Sequence, residues 1–452
     1  MRFRTTLLLF LILAAAGAYM YFVERPKQEE AAKKKTLYEA KAEDITAVKL
    51  VYSDREIDMA KQGDVWRMSK PVDAAGDEAA VKTLIDTVVA CEITKELKEP
   101  STDAKAYGLD APFVAVTLTA GDKQLPKAIF GKTAPVGSAA YVQREGEPAV
   151  LLVNSSCRAG ADKQVKDLRD KALIDFKDEN VRGLQIQRRG ATYSVARKDT
   201  AWEVTPGPYK GDDNTLRTYL SSLRTVRAVE FPDDAPTDLA PYGLDQPRLE
   251  IRALFNDDRE LVVKFGKELP SKNVYVQTSN LPGIYEVGEY AYRNLDKSIN
   301  DFRDKKVLAF ELDALQSIDV TRKDGGAYKL VRKDDSWTIE GVEGTPKTDV
   351  IQEYVGDVRD LSGYEIIADE PGDPKNYGFD SPRLRLALTA KDGKPIGTIL
   401  IGQVPNDEQL DMTAMVEGGT TVYKVRAYIF SRLNRELSKF VEAPPATPTA
   451  AQ

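Results

Sequence analysis

Alternation of apolar and polar residues at period two marks out strands three times along the chain. Ile45, Ala47, Val48 and Leu50 open the first set, and a hairpin follows with Ile57 and Met59 on one strand and Trp66 and Met68 on the other. The second set begins at Val181, Leu184 and Ile186 and continues through Tyr193 and Val195 to Trp202 and Val204. In the third, Tyr328 and Leu330 face Trp337 and Ile339. After each hairpin the spacing becomes helical: Leu84, Ile85 and Val88, then Tyr219, Leu220 and Leu223, then Tyr354, Val355 and Val358. Asp77, Asp212 or Thr348 stands at the start of each run as a side-chain cap. An amphipathic helix is therefore predicted on the apolar face of each hairpin. In the first copy strands resume over 113–119, 128–130, 140–143 and 149–153, and a polar helix ends at Lys171. Strands, a helix, more strands and a last helix, mainly antiparallel, make the predicted class α+β.

The pattern is a repeat. The three tryptophans, Trp66, Trp202 and Trp337, are 136 and 135 residues apart. Tyr107-Gly108-Leu109-Asp110-Ala111-Pro112 returns as Tyr242-Gly243-Leu244-Asp245-Gln246-Pro247 and as Tyr377-Gly378-Phe379-Asp380-Ser381-Pro382. Phe130-Gly131, Phe265-Gly266 and Ile401-Gly402 follow at nearly the same period. Leu168-Arg169-Asp170-Lys171 recurs as Phe302-Arg303-Asp304-Lys305, whereas the third copy, ending Leu437-Ser438-Lys439, lacks the Arg-Asp pair. These landmarks divide the chain into modules at 38–172, 173–306 and 307–440, with a charged linker at 24–37 and a tail at 441–452 expected to be disordered. No Gly/Ser-rich linker separates the modules, so docked modules are expected rather than beads on a string.

Ahead of the repeats, Thr5 to Val23 form a run of 19 uncharged residues, about the thickness of a bilayer core as a helix. Arg2 and Arg4 precede it, and Tyr19, Tyr21 and Phe22 lie where an interfacial aromatic belt would sit. Ala14, Ala16 and Ala18 offer the alternative of a cleaved signal peptide, but the apolar run continues beyond them, which favours an uncleaved anchor over residues 1–23. A strict Lys/Arg count points the other way, yet a short tail before a signal-like run favours an inside N-terminus and an extracytoplasmic bulk. The expected location is the cytoplasmic membrane of a bacterium, spanned once.

Composition narrows the chemistry. The absence of histidine excludes Ser-His-Asp and Cys-His catalysis and histidine-ligated metals. A net charge of -7 from 64 basic and 71 acidic residues is an ordinary solvated surface, not a footprint for nucleic acid. Cys91 and Cys157 allow one disulfide at most; sequence spacing says nothing of Cα separation and single buried thiols are the commoner case, so two free thiols are expected. Two thiols without histidine do not make a zinc site.

Each motif has a structural explanation beside a functional one. In Tyr-Gly-[Leu/Phe]-Asp-x-Pro the glycine supplies positive φ, the aspartate bonds backbone and the proline begins a strand, and three occurrences favour architecture over catalysis. Gly131-Lys132-Thr133 resembles the end of a phosphate loop, but Pro126 occupies the upstream glycine position. Asp212-Asp213, Asp257-Asp258 and Asp334-Asp335 read as solvated turns rather than calcium ligands. The tryptophans read as core rather than as sugar platforms. No catalytic residue, metal or cofactor is expected.

The anchor, the Trp-Arg-Met-Ser-Lys-Pro stretch at 66–71, the Tyr-Gly-Leu-Asp-x-Pro turn, the Phe-Gly-Lys turn and the Leu-Arg-Asp-Lys element together resemble the family called domain of unknown function 4340, over residues 1–440 in tandem units. That resemblance implies a membrane-anchored bacterial envelope protein, often encoded beside ABC-transporter subunits of the gliding-motility type, and it supplies no catalytic residues. The expected function is a non-enzymatic scaffold or accessory protein for an ABC-type system. The alternatives are a glycan- or peptide-binding module using grooves between repeats and, third, a carboxylate-based hydrolase.

Overall fold

The computed structural model describes residues 20–21, 35–97, 103–334, 336–342, 344–403 and 411–442. The expected anchor, apart from Met20 and Tyr21, most of the charged linker and nearly all of the tail lie outside the described residues. Among the described residues no helix is long and apolar enough to cross a membrane.

The chain forms two compact units. The first comprises residues Met1–Leu173, Val226–Asp238 and Leu281–Gly288, and the second Ile174–Thr225, Leu239–Asn280 and Glu289–Gln452. The first repeat contributes ten strands to the first unit: β1 Ile45–Val51, β2 Glu56–Gln62, β3 Val65–Lys70, β4 Ala74–Ala75, β5 Ile93–Glu96, β6 Val114–Ala120, β7 Lys123–Gln124, β8 Ala128–Thr133, β9 Ala139–Arg144 and β10 Val150–Asn154. They form one sheet in the order β4-β3-β2-β1-β6-β8-β9-β10-β5, with β7 against β6, and each recorded pairing is antiparallel. Register follows the alternation: Val48 sits opposite Met59 and Leu50 opposite Ile57, so the apolar set shares one face. Helix α1, Glu78–Val89, lays Val81, Leu84, Ile85 and Val88 into the core with Met59, Trp66 and Met68. Each such side chain, fully buried, contributes about 2 kcal/mol relative to exposure.

The second repeat contributes β11 Val181–Arg188, β12 Ala191–Lys198, β13 Ala201–Thr205, β14 Tyr209–Lys210, β16 Leu249–Phe255, β17 Glu260–Glu268 and β18 Val274–Thr278 to the second unit, ordered β14-β13-β12-β11-β16-β17-β18. Its strands β15 Glu230–Asp233 and β19 Ile284–Val287 pair with each other in the first unit. The third repeat forms an eight-stranded sheet in the second unit from β20 Leu315–Arg322, β21 Ala327–Lys333, β22 Ser336–Ile339, β23 Glu365–Ala368, β24 Leu384–Ala390, β25 Pro395–Gly402, β26 Met412–Val416 and β27 Val422–Val425, ordered β22-β21-β20-β24-β25-β26-β27-β23. The α+β class with three antiparallel sheets is as expected.

The helices carry three corrections. The Asp77 carboxylate accepts the Ala80 N–H at 2.9 Å and Asp212 that of Thr215 at 2.7 Å, but the third copy begins behind Lys347 with no side-chain cap, leaving Thr348 as its first helical residue. The polar helix expected to end at Lys171 is two short helices, α2 Ser155–Ala161 and α3 Val165–Leu168, because Leu168 turns into the core and Arg169 leaves the helix in extended conformation. Cys91 and Cys157 are joined in a disulfide, their Cα atoms 5.7 Å apart, since the end of α1 packs beside α2. The chain also enters the first core earlier than the linker boundary: Leu37 is fully buried and donates its N–H to the Cys91 carbonyl at 2.7 Å, as Val307 does to Leu361 at 3.0 Å.

Candidate functional site

The two recurrent glycine motifs exist because they dock on each other. Gly108, Gly243 and Gly378 have φ of +67°, +65° and +75°, a conformation that side chains disfavour. The preceding carbonyl, of Tyr107, Tyr242 or Tyr377, then points at the glycine of the Phe-Gly or Ile-Gly turn. A Cβ on Gly131, Gly266 or Gly402 would stand 2.2, 2.2 or 2.3 Å from that oxygen. The backbone contact is closed by the Lys132 N–H, which donates to Tyr107 at 2.9 Å. Pro112, Pro247 and Pro382 lie just ahead of β6, β16 and β24, where no ladder N–H is required; the next residues, Phe113, Arg248 and Arg383, donate to Phe130, Phe265 and Ile401. Asp110, Asp245 and Asp380 do not bond backbone as expected. Their side chains are exposed and make no hydrogen bond among the described residues, while Asp103 and Asp373 cap the two short turns ahead of the motif.

Trp66, Trp202 and Trp337 are 3, 7 and 6 % exposed, so none offers a face to solvent. A cation covers two of them: Lys61 Nζ lies 5.6 Å from the Trp66 ring and Arg197 4.9 Å from that of Trp202. Clefts of about 530 and 380 Å³ lie over these tryptophans; four of the charges around the first are paired, Lys41 with Glu43 and Lys82 with Asp86. Of the doubled aspartates, Asp212 caps its helix, Asp257 pairs with Arg259 at 2.7 Å and Asp258 with Arg182 at 2.6 Å; Asp335 lies outside the described residues. Among the described residues no group of three or more His, Cys, Asp or Glu could hold a metal.

The Leu-Arg-Asp-Lys element has the most developed surroundings. Arg169, with 8 % of its side chain exposed, grips Asp234 of the second repeat through two parallel hydrogen bonds of 2.6 and 3.1 Å, and its guanidinium lies 3.9 Å over the Phe231 ring. Lys166 pairs with Glu230 alongside. Arg303, 4 % exposed, repeats the grip on Asp369 of the third repeat at 2.7 and 2.7 Å, with its guanidinium 3.5 Å over Tyr209 and Asn300 accepting a further bond at 3.0 Å. Hydrogen bonds from Arg303 hold the Asp369 carboxyl below its ordinary pKa. A planar fork matched to a carboxylate and stacked on a ring is a contact that only arginine makes. The segment preceding each arginine is fixed by the same backbone bond: Asp77 N–H to Leu168, Asp212 to Phe302 and Lys347 to Phe440. By that register the third repeat has Val441 where the others have arginine, which is why the pair is missing there. The sequence showed the recurrence of Arg169 and Arg303; their acceptors, 65 and 66 residues away, could be found only as an Asp234–Asp369 pair at the repeat period.

No curated protein sequence matches the chain. Among solved structures, the crystal structure of a DNA polymerase sliding clamp from Pseudomonas aeruginosa with ligand aligns at 7 % identity and TM-score 0.15, covering 88 % of this chain and 94 % of that one. A DNA polymerase III subunit beta from the same organism aligns at 8 % and 0.13, covering 86 and 94 %. Likeness at that level carries no argument. The profile of one family, described as Domain of unknown function (DUF4340), matches three successive segments, 66–231, 202–361 and 347–452. Together these span most of the sequence, and the chain belongs to the DUF4340 family.

Proposed function

We propose that the protein is a non-enzymatic, membrane-anchored extracytoplasmic scaffold, held by one N-terminal span, whose repeats hold or bridge envelope partners. Subunits of a gliding-motility-like ABC transport system are the partners that the family resemblance suggests. The observation that carries the reading is the pair of stacked arginine forks: the repeated charged residues of this chain tie one repeat to the next instead of converging on a reaction centre. Two further features support it. The uncharged run from Thr5 to Val23 is of bilayer length. A disulfide between Cys91 and Cys157 persists in oxidising compartments, as an extracytoplasmic location provides.

In-cell crosslinking followed by mass spectrometry is expected to recover membrane-transport subunits; recovery of no membrane protein above background would overturn the scaffold role. Protease added to intact spheroplasts is expected to digest the repeats, and full protection would overturn the orientation.

A further inference from the structure

One helix pair recurs at the same place in every repeat, and its seam is finished differently each time. The first helix is α1, α4 Asp213–Arg224 or α6 Thr348–Arg359; the second is α2, α5 Glu289–Leu295 or α7 Ala427–Leu433. The tenth residue of the first helix and the sixth of the second face each other across the seam: Thr87 and Gly160, Ser222 and Asn294, Asp357 and Arg432. In the first repeat Gly160 lets the helices close, since a Cβ there would lie 2.5 Å from Thr87 Cγ2, and the disulfide locks the pair. In the third, Arg432 forks onto Asp357, and Arg435 bonds Glu353 at 2.8 Å and Asp357 at 3.4 Å, filling the seam with ion pairs.

In the second repeat neither device is present. The seam opens as a cleft of about 430 Å³ lined by Asn214, Thr218, Tyr219, Ser222, Tyr290 and Asn294, with Lys297 at one end and no carboxylate. Its size is that of a small-ligand pocket. The Thr218 and Ser222 hydroxyls spend their protons on the Asn214 and Thr218 carbonyls at 2.9 Å each, so they present lone pairs to the cleft. The side-chain amides of Asn214 and Asn294 make no hydrogen bond among the described residues and supply donors as well as acceptors. Tyr290 is 78 % exposed on the second helix, an aromatic face beside a neutral polar wall.

We infer that this cleft in the second repeat binds a neutral oligosaccharide. Interleaved hydroxyl acceptors and amide donors match the alternating donors and acceptors of sugar hydroxyls, and an exposed ring stacks on the apolar C–H face of a pyranose. A charged ligand would meet one ammonium and no carboxylate, too little to neutralise a polyanion and the wrong sign for a cation. The site lies within one repeat and is independent of the scaffold role.

Detergent-solubilised full-length protein titrated calorimetrically with chitotriose, cellotriose and maltotriose tests this. Saturable binding of at least one is expected. Tyr290→Ala, at an exposed position, should weaken it about tenfold with the melting profile unchanged. Ser222→Asp with Asn294→Arg copies the ion pair of the third repeat and should abolish it. Absence of saturable binding by all three sugars, or binding that both variants leave intact, overturns the inference.

Discussion

The helix pairs of the first and third repeats occupy equivalent places and are closed by unlike chemistry. The first uses a covalent bond and a close approach at Gly160; the third uses Arg432 and Arg435 on Asp357 and Glu353. A disulfide acts chiefly by restricting the unfolded chain, is indifferent to salt and does not titrate at neutral pH. Ion pairs at a half-exposed seam act on the folded state and weaken with salt and acid. The contrast shows which parts of the repeat are free to differ. The seam varies, whereas the close approach of a tyrosine carbonyl to a glycine recurs in all three copies, at 2.2, 2.2 and 2.3 Å from the position of an added Cβ.

Breaking the covalent seam should have the largest effect. With the cysteines 66 positions apart in sequence, Cys91→Ser with Cys157→Ser removes roughly 4 kcal/mol of unfolded-chain restriction, to be read as a lower melting temperature of the transition assigned to the first unit. An unchanged transition would equate the two seams. Next comes the invariant element: Gly402→Ala drives a Cβ to 2.3 Å from the Tyr377 carbonyl and should cost about 3 kcal/mol, with Gly131→Ala and Gly266→Ala costing the same within error in their own sheets. Denaturant titration measures all three, and a mild effect in any one copy would show that its turns are not interlocked.

Arg303→Ala strands Asp369 and uncovers Tyr209, with an expected loss of about 2 kcal/mol, whereas Arg303→Lys should recover less than half because it cannot form the fork. Limited proteolysis near residues 303–307 would report the loosened junction. Removing a cap costs less: Asp212→Ala should lower stability by about 1 kcal/mol, while Lys347→Ala, at the uncapped third helix, should leave it unchanged. The smallest effect is that of pH. Arg435 holds Glu353 below its ordinary pKa, and Arg303 does the same for Asp369. Groups with a depressed folded pKa contribute stability above their unfolded pKa, about 4, and lose it as pH falls through the folded value. Acid should therefore loosen the ion-paired helix seam of the third repeat while the disulfide-bonded seam of the first holds, as hydrogen exchange at pH 5 and pH 3 would detect.

Much of the architecture was legible because it is local. Period-two alternation placed the hairpins, and Asp77 and Asp212 announced their helices by a short-range bond to the third residue on. The third cap failed because Thr348 begins the helix itself, one residue too late to bond its first turn. The Tyr-Gly-[Leu/Phe]-Asp-x-Pro motif was legible as a turn, but its reason, a carbonyl pressed against a glycine 24 or 25 residues on, was not. The terminal helix was overextended because polar periodicity gives no warning that Leu168 must enter the core.

By itself the sequence determined the copy number, the α+β class and the absence of histidine chemistry, since counts, periods and residue types do not depend on what lies nearby in space. Tertiary structure decided the rest: that Cys91 meets Cys157, that Arg169 and Arg303 find Asp234 and Asp369, and that one of three equivalent helix seams stands open. Each of these depends on two residues, far apart in the chain, arriving within a few ångströms, and one-dimensional spacing carries no information about that distance.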